Sequence, residues 1–133
     1  MKKLSMQDLR NIKPLGLPLV LEFETSEGVT ETTELKIYPL TVEEKVVIQQ
    51  LRDEARPYSK KKIENLNDEE VTKYEELLNN MSEKYIYFTF KKIYDDFAEE
   101  DVKNLPKAWM QPITNMVLKA EGLDVEELKK EKN

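Results

Sequence analysis

Within one stretch of twenty residues the period of the hydrophobic pattern changes, and that change constrains the fold more than any other feature. In "TTELKIYPLTVEEKVVIQQL", Thr32 to Leu51, apolar residues first alternate and then, after Pro39, recur every three to five positions. Alternation is the signature of a half-buried strand, and the longer period that of an amphipathic helix. Pro39 cannot donate to a ladder, so the strand must stop there. Thr41 with Glu44 three residues on reads as a capping box, each side chain satisfying a backbone donor at the helix start. Val42, Val46, Val47, Leu51 and Ala55 then predict an apolar stripe that lies over the strands, with Pro57 ending the helix.

The strand before the switch has a partner. "LPLVLEFET" places Leu17, Leu19, Leu21 and Phe23 on one face and Val20, Glu22 and Glu24 on the other. "SEGVTE" follows as a turn in which Gly28 is free to take positive φ. The return strand puts Leu35 and Ile37 on one face and Lys36 and Tyr38 on the other, so the pair predicts a β-hairpin with one face to be covered. Upstream, Leu4 to Ile12 predicts one or two helical turns capped by Ser5. Pro14, Gly16 and Pro18 hold the chain extended beyond it.

Downstream the pattern is helical. "RPYSKKKIENLN" is the only basic run and is read as a solvated linker; acidic segments on both sides disfavour a phosphate-binding patch. Asn67 with Glu70 forms a second capping box. A first stripe then follows (Val71, Tyr74, Leu78, Met81, Tyr85, Phe88), and after it a second (Ile86, Phe90, Ile93, Phe97). "YIYFTFKKIY" also alternates and has high β propensity. Helix is preferred because both flanks are helical and no breakers intervene. Asp101 to Asn104 predicts a single turn before Pro106. In "KAWMQPITNMVLKAEGL", Pro112 either kinks or opens a helix whose stripe is Trp109, Ile113, Met116, Val117 and Ala120. Gly122 at C′, with Leu123 folding back on Leu118, is the Schellman pattern of a helix end. The fold class expected is therefore α+β: an N-terminal β-hairpin followed by a mostly helical body of three to five helices. The domain is expected over residues 1–123, with 124–133 a charged tail that frays.

The composition narrows the chemistry. The chain of 133 residues is one domain by length. Charged residues make up 36% and the net charge is −6, which disfavours a nucleic-acid partner bound by phosphate neutralisation. Only Arg10, Arg52 and Arg56 supply guanidinium groups, and these are the usual choice for bidentate phosphate contacts. With no cysteine and no histidine, disulfide frameworks, zinc sites built from those ligands, His-based triads and thiol nucleophiles are excluded. Three glycines leave no dinucleotide fingerprint and no P-loop. The N-terminus lacks the apolar core of a signal peptide, and no run is long enough to span a membrane, so a cytoplasmic protein is expected. Asp95, Asp96, Glu99, Glu100 and Asp101 could form a hard-metal site but lack the spacing and central glycine of a calcium loop. They are read as a solvated helix end, and Glu69, Glu70, Glu75 and Glu76 as the outer face of a helix. No catalytic residue, metal or cofactor is expected.

Three aromatics remain as candidate partner-binding anchors. Tyr87 and Tyr94 lie seven apart on one helical face and fit neither stripe. Trp109 needs a hydrogen-bond partner for its indole N–H if it is buried. Against this stands the simpler reading that neighbouring elements cover all three.

The order of these parts resembles a family. A short hairpin leads into "YPLTVEE", an acidic middle and an aromatic-rich helix near "DDFAEEDVKNLP", and a short helix finishes in "KAEGL". From about Leu19 to Leu123 this looks like the small tail assembly chaperones of long-tailed phages and archaeal viruses, including prophage copies. The resemblance implies a non-enzymatic protein of the host cytoplasm. Its partner would be a long helical tape-measure protein, whose apolar stripes it keeps from aggregating before the tail tube forms. Many members of that family are also made in a longer, frameshifted form. The alternative is a structural head–tail connector or tail-completion protein, a homo-oligomer whose hairpins pair edge to edge in a ring. A magnesium-dependent carboxylate enzyme is the least favoured reading.

Overall fold

The computed structural model describes residues 3–12, 15–61 and 63–122. Helix α1 (Met6–Asn11) is followed by strands β1 (Leu17–Glu24) and β2 (Thr30–Ile37), then α2 (Val42–Ser59), α3 (Asp68–Ile93) and α4 (Met110–Ala120). Short 3-10 turns at Ile63–Asn65, Glu99–Asn104 and Lys107–Trp109 connect the helices. The α+β arrangement of an N-terminal hairpin and a helical body is as expected.

β1 and β2 pair antiparallel with Leu17 opposite Ile37 and Leu21 opposite Thr33. The Thr25 N–H donates to the Val29 carbonyl at 2.8 Å, which fixes the ladder's phase: odd-numbered residues exchange the hydrogen bonds. Gly28 takes φ +81 at the end of the three-residue loop, the left-handed position that such loops require. The inward face is the expected one, with Leu21, Leu35 and Ile37 buried.

The N-caps of α1, α2 and α3 carry complete capping boxes: Ser5 with Asp8, Thr41 with Glu44 and Asn67 with Glu70. The segment Tyr85 to Ile93 is helical. Pro112 opens α4, standing in its first turn where an N–H has no intrahelical acceptor. Gly122 has φ +83, and its N–H donates to the Lys119 carbonyl at 2.9 Å, the inner bond of the Schellman pattern. The contact expected of Leu123, the frayed tail 124–133 and the extended Pro14 all lie outside the described residues.

Several expectations need correction. Pro57 does not end α2, which runs on to Ser59. A proline forfeits one helical hydrogen bond, and here Tyr58, stacked on Tyr74 of α3 at 6.2 Å, anchors the turn that follows. The buried face of α2 is set by Ile48 and Ala55; Val42 is 78% exposed and Val46 51%. On α3, Leu77 is buried where Leu78 was expected, and Ile93 lies at the surface. The cause is the same in both helices: neighbouring apolar residues offer two stripes, and the partner element selects one. That partner is also not the expected one. α2 packs along α3, and it is α4 that packs on both strands and on α3. The core therefore centres on Ile37, Ile86, Ile113 and Val117, all without meaningful exposure. Each contributes roughly 1.5–3 kcal/mol by leaving water.

Candidate functional site

The C-terminal end of α3 gathers the aromatic residues. Phe90 is the hub, almost fully buried, with ring centroids 5.2 Å from Phe97, 6.3 Å from Tyr94 and 6.5 Å from Trp109. Tyr87 joins through Phe97 at 6.4 Å and touches Phe88 at 5.7 Å. The three residues singled out in the sequence are thus rim members of one cluster. They do not share a helical face: α3 ends at Ile93, and Tyr94 is its C-cap, in extended conformation and turned back on Phe90.

The rim members differ in what they leave free. Trp109 is half-buried, and its indole N–H donates to the Glu22 carbonyl at 2.7 Å, bridging the start of α4 to the outer edge of β1. Tyr87 is also half-buried, and the Lys84 ammonium, itself paired with Glu99, lies 5.9 Å from its ring centre. Tyr94 keeps half its surface in water. Of the three, Tyr94 is the most exposed.

Sequence reasoning missed a second set of outward apolar groups. Lys92 in the last turn of α3 forms an ion pair with Glu44 in the first turn of α2. The exposed Val42 and Val46 therefore stand at the same end of the α2–α3 pair as Ile93 and Tyr94. The valines match a helical period as well as Ile48 does, and only the packing of Ile48 in the fold separates them from the core. Further exposed apolar side chains flank and belong to α1: Leu4, Met6, Leu9 and Ile12. No residue of α1 is buried.

One polar network lies between α2, α3 and α4. A recess of about 130 Å³ beside Leu40 and Leu118 holds Arg52, Tyr85, Lys45 and Glu121. Its groups satisfy each other: Arg52 Nη2 donates to the Tyr85 hydroxyl at 3.0 Å, and Glu121 accepts the Leu40 N–H at 2.8 Å and pairs with Lys45 at 3.6 Å. Burial pushes the Tyr85 phenol above its ordinary range; the Arg52 charge opposes the shift and the Glu121 charge adds to it. Asp8 is held below the usual carboxylate range by the Ser5 backbone N–H and then its hydroxyl. Glu70 is held low by its hydrogen bond to Lys61, with the Asn67 backbone N–H assisting.

The acidic segment behind α3 is engaged locally. Asp101 accepts the Ala98 N–H at 2.9 Å and Glu99 pairs with Lys84. Among the described residues no three acidic side chains converge as metal ligands. In the basic run, Arg56 pairs with Asp53 and Lys61 with Glu70. What this end of the molecule offers is therefore exposed aromatic and aliphatic side chains. Comparison with known protein families, with characterised proteins and with solved structures finds no match for this chain.

Proposed function

We propose that the protein is a non-enzymatic assembly chaperone of a long-tailed virus, holding a long helical tape-measure-type client through apolar surface. The observation that carries this reading is the group of apolar side chains left outside the core at one end of the α2–α3 pair: Val42, Val46, Ile93 and Tyr94. Spaced one helical turn apart, Val42 and Val46 match the i, i+4 rhythm with which amphipathic helices are read. The charged surface around them keeps a loaded complex soluble. The reading is also supported by the marks of the family resemblance, which meet in space. Leu40 of "YPLTVEE" is held by Glu121 of "KAEGL", 81 residues away.

In this reading the protein acts in the host cytoplasm. Among the described residues no helix is long and apolar enough to cross a membrane. The test is a search of the neighbouring genes for a very long helical reading frame and co-expression with it, followed by isolation of the complex and light scattering of the client; the absence of such a frame counts against the proposal. The wild-type chain keeps the client in solution. A Val42→Asp, Tyr94→Asp variant that retains its helical circular dichroism lets it aggregate and weakens binding about tenfold or more. Equal protection by the variant, or a client that stays soluble alone, refutes the proposal.

A further inference from the structure

The two edges of the hairpin are not equivalent. Residues of the even-numbered set direct their backbone N–H and C=O groups away from the ladder. On β1 this outer edge is blocked. Pro18 falls in the even set, so the donor it lacks is one that would have faced a new strand. The Glu22 carbonyl, also facing outward, already accepts the Trp109 indole N–H. On β2 the outward groups belong to Thr30, Thr32, Glu34 and Lys36. None of them has a hydrogen-bond partner among the described residues, and all four side chains are exposed.

We propose that β2 pairs antiparallel with β2 of a second copy of this chain, giving a closed two-fold dimer centred on Leu35. The choice of occupant and register rests on charge. Centring on Leu35 sets Glu34 opposite Lys36 of the second copy, and by symmetry Lys36 opposite its Glu34. Two backbone-bonded pairs then each carry opposite charges. Centring on Glu34 would place that carboxylate against itself, and centring on Thr33 would leave both charges facing threonines. A lysine on an exposed edge ordinarily repels a second strand. Here the neighbouring glutamate, two positions back, converts it into a complement for its own copy. The blocked β1 edge also decides the symmetry. A ring needs β1 of one copy to meet β2 of the next, whereas β2 meeting β2 closes after two.

The inference does not depend on the proposed client. It is tested by sedimentation equilibrium of the full chain and three variants: Glu34→Lys, Lys36→Glu and the two combined. Both positions are exposed, and circular dichroism verifies that each variant is folded. The wild type is expected to show a monomer–dimer equilibrium. Each single variant sets like charges opposite each other twice per dimer, weakening association about tenfold at low salt. The double variant restores opposite charges and recovers the wild-type equilibrium. A wild type that stays monomeric at all concentrations overturns the proposal. So do assembly into larger rings and a double variant no better than the singles.

Discussion

Phe90 offers the sharpest test of the aromatic cluster, because three other rings meet it and the only tryptophan is one of them. Truncating a buried phenylalanine to alanine costs about 3–5 kcal/mol, the lost transfer free energy plus the cavity. Phe90→Leu isolates a narrower quantity. It keeps most of the apolar volume and removes the ring contacts, each worth about 0.5–1.5 kcal/mol. The contact to Phe97, at 5.2 Å, is well inside the favourable range, while those to Tyr94 and Trp109, at 6.3 and 6.5 Å, are near its outer limit. Taking about 1 kcal/mol for the first and about 0.5 for each of the others gives roughly 2 kcal/mol. That is a large share of the about 5–15 kcal/mol that separates folded from unfolded in a domain of this size. Urea unfolding followed by Trp109 emission measures it. With a slope of about 2 kcal/mol per molar, the midpoint falls by about 1 M for Phe90→Leu and by about twice that for Phe90→Ala. In the folded alanine variant Trp109 loses its stacked neighbour and its emission moves to the red. Tyr94→Leu, at the rim, is expected to shift the midpoint by less than half as much as Phe90→Leu. If the two leucine variants cost the same, Phe90 is not the hub and the argument fails.

Acid weakens the start of α3. The Glu70 carboxyl is lowered in the fold, so its contribution is complete above its unfolded value of about 4.3 and is lost as pH falls through the folded value. Protection of the Val71 amide and its neighbours, measured relative to the intrinsic exchange rate at each pH, should fall below about pH 4, and Glu70→Gln should flatten the dependence. Asp8 follows the same sign at the start of α1. Alkali acts on Tyr85 in the opposite sense. Its pKa is raised by burial, so its contribution is intact below the ordinary tyrosine value of about 10 and declines as pH rises beyond it. Thermal melts of the wild type between pH 9 and about 11 should fall more steeply than those of Tyr85→Phe.

What could be read in the sequence was whatever is decided within a few residues. The capping boxes at Ser5, Thr41 and Asn67, the hairpin turn at Gly28 and the end of α4 at Gly122 all depend on neighbours no more than five positions away. The faces of α2 and α3 were not decided there. Val46 and Ile48, or Leu77 and Leu78, serve a helical period about equally well, and only the packed partner distinguishes them. The candidate site shows the same division. That Trp109 would need an acceptor was legible, but the acceptor, the Glu22 carbonyl, is 87 residues earlier in the chain. The aromatic residues were visible as a set, yet their union around Phe90 depends on α3 ending at Ile93 and the chain turning back through Phe97.

The link between Leu40 and Glu121 bears on how the chain is made. The amide at the start of α2 finds its carboxylate only at the very end of α4, and α4 is also the helix that covers the hairpin. A ribosome that has delivered the strands, α2 and α3 has released a hairpin with no lid and a core lacking Ile113 and Val117. Native structure must therefore wait until α4 has been made, and nascent chains stalled before Met110 are exposed to aggregation and proteolysis.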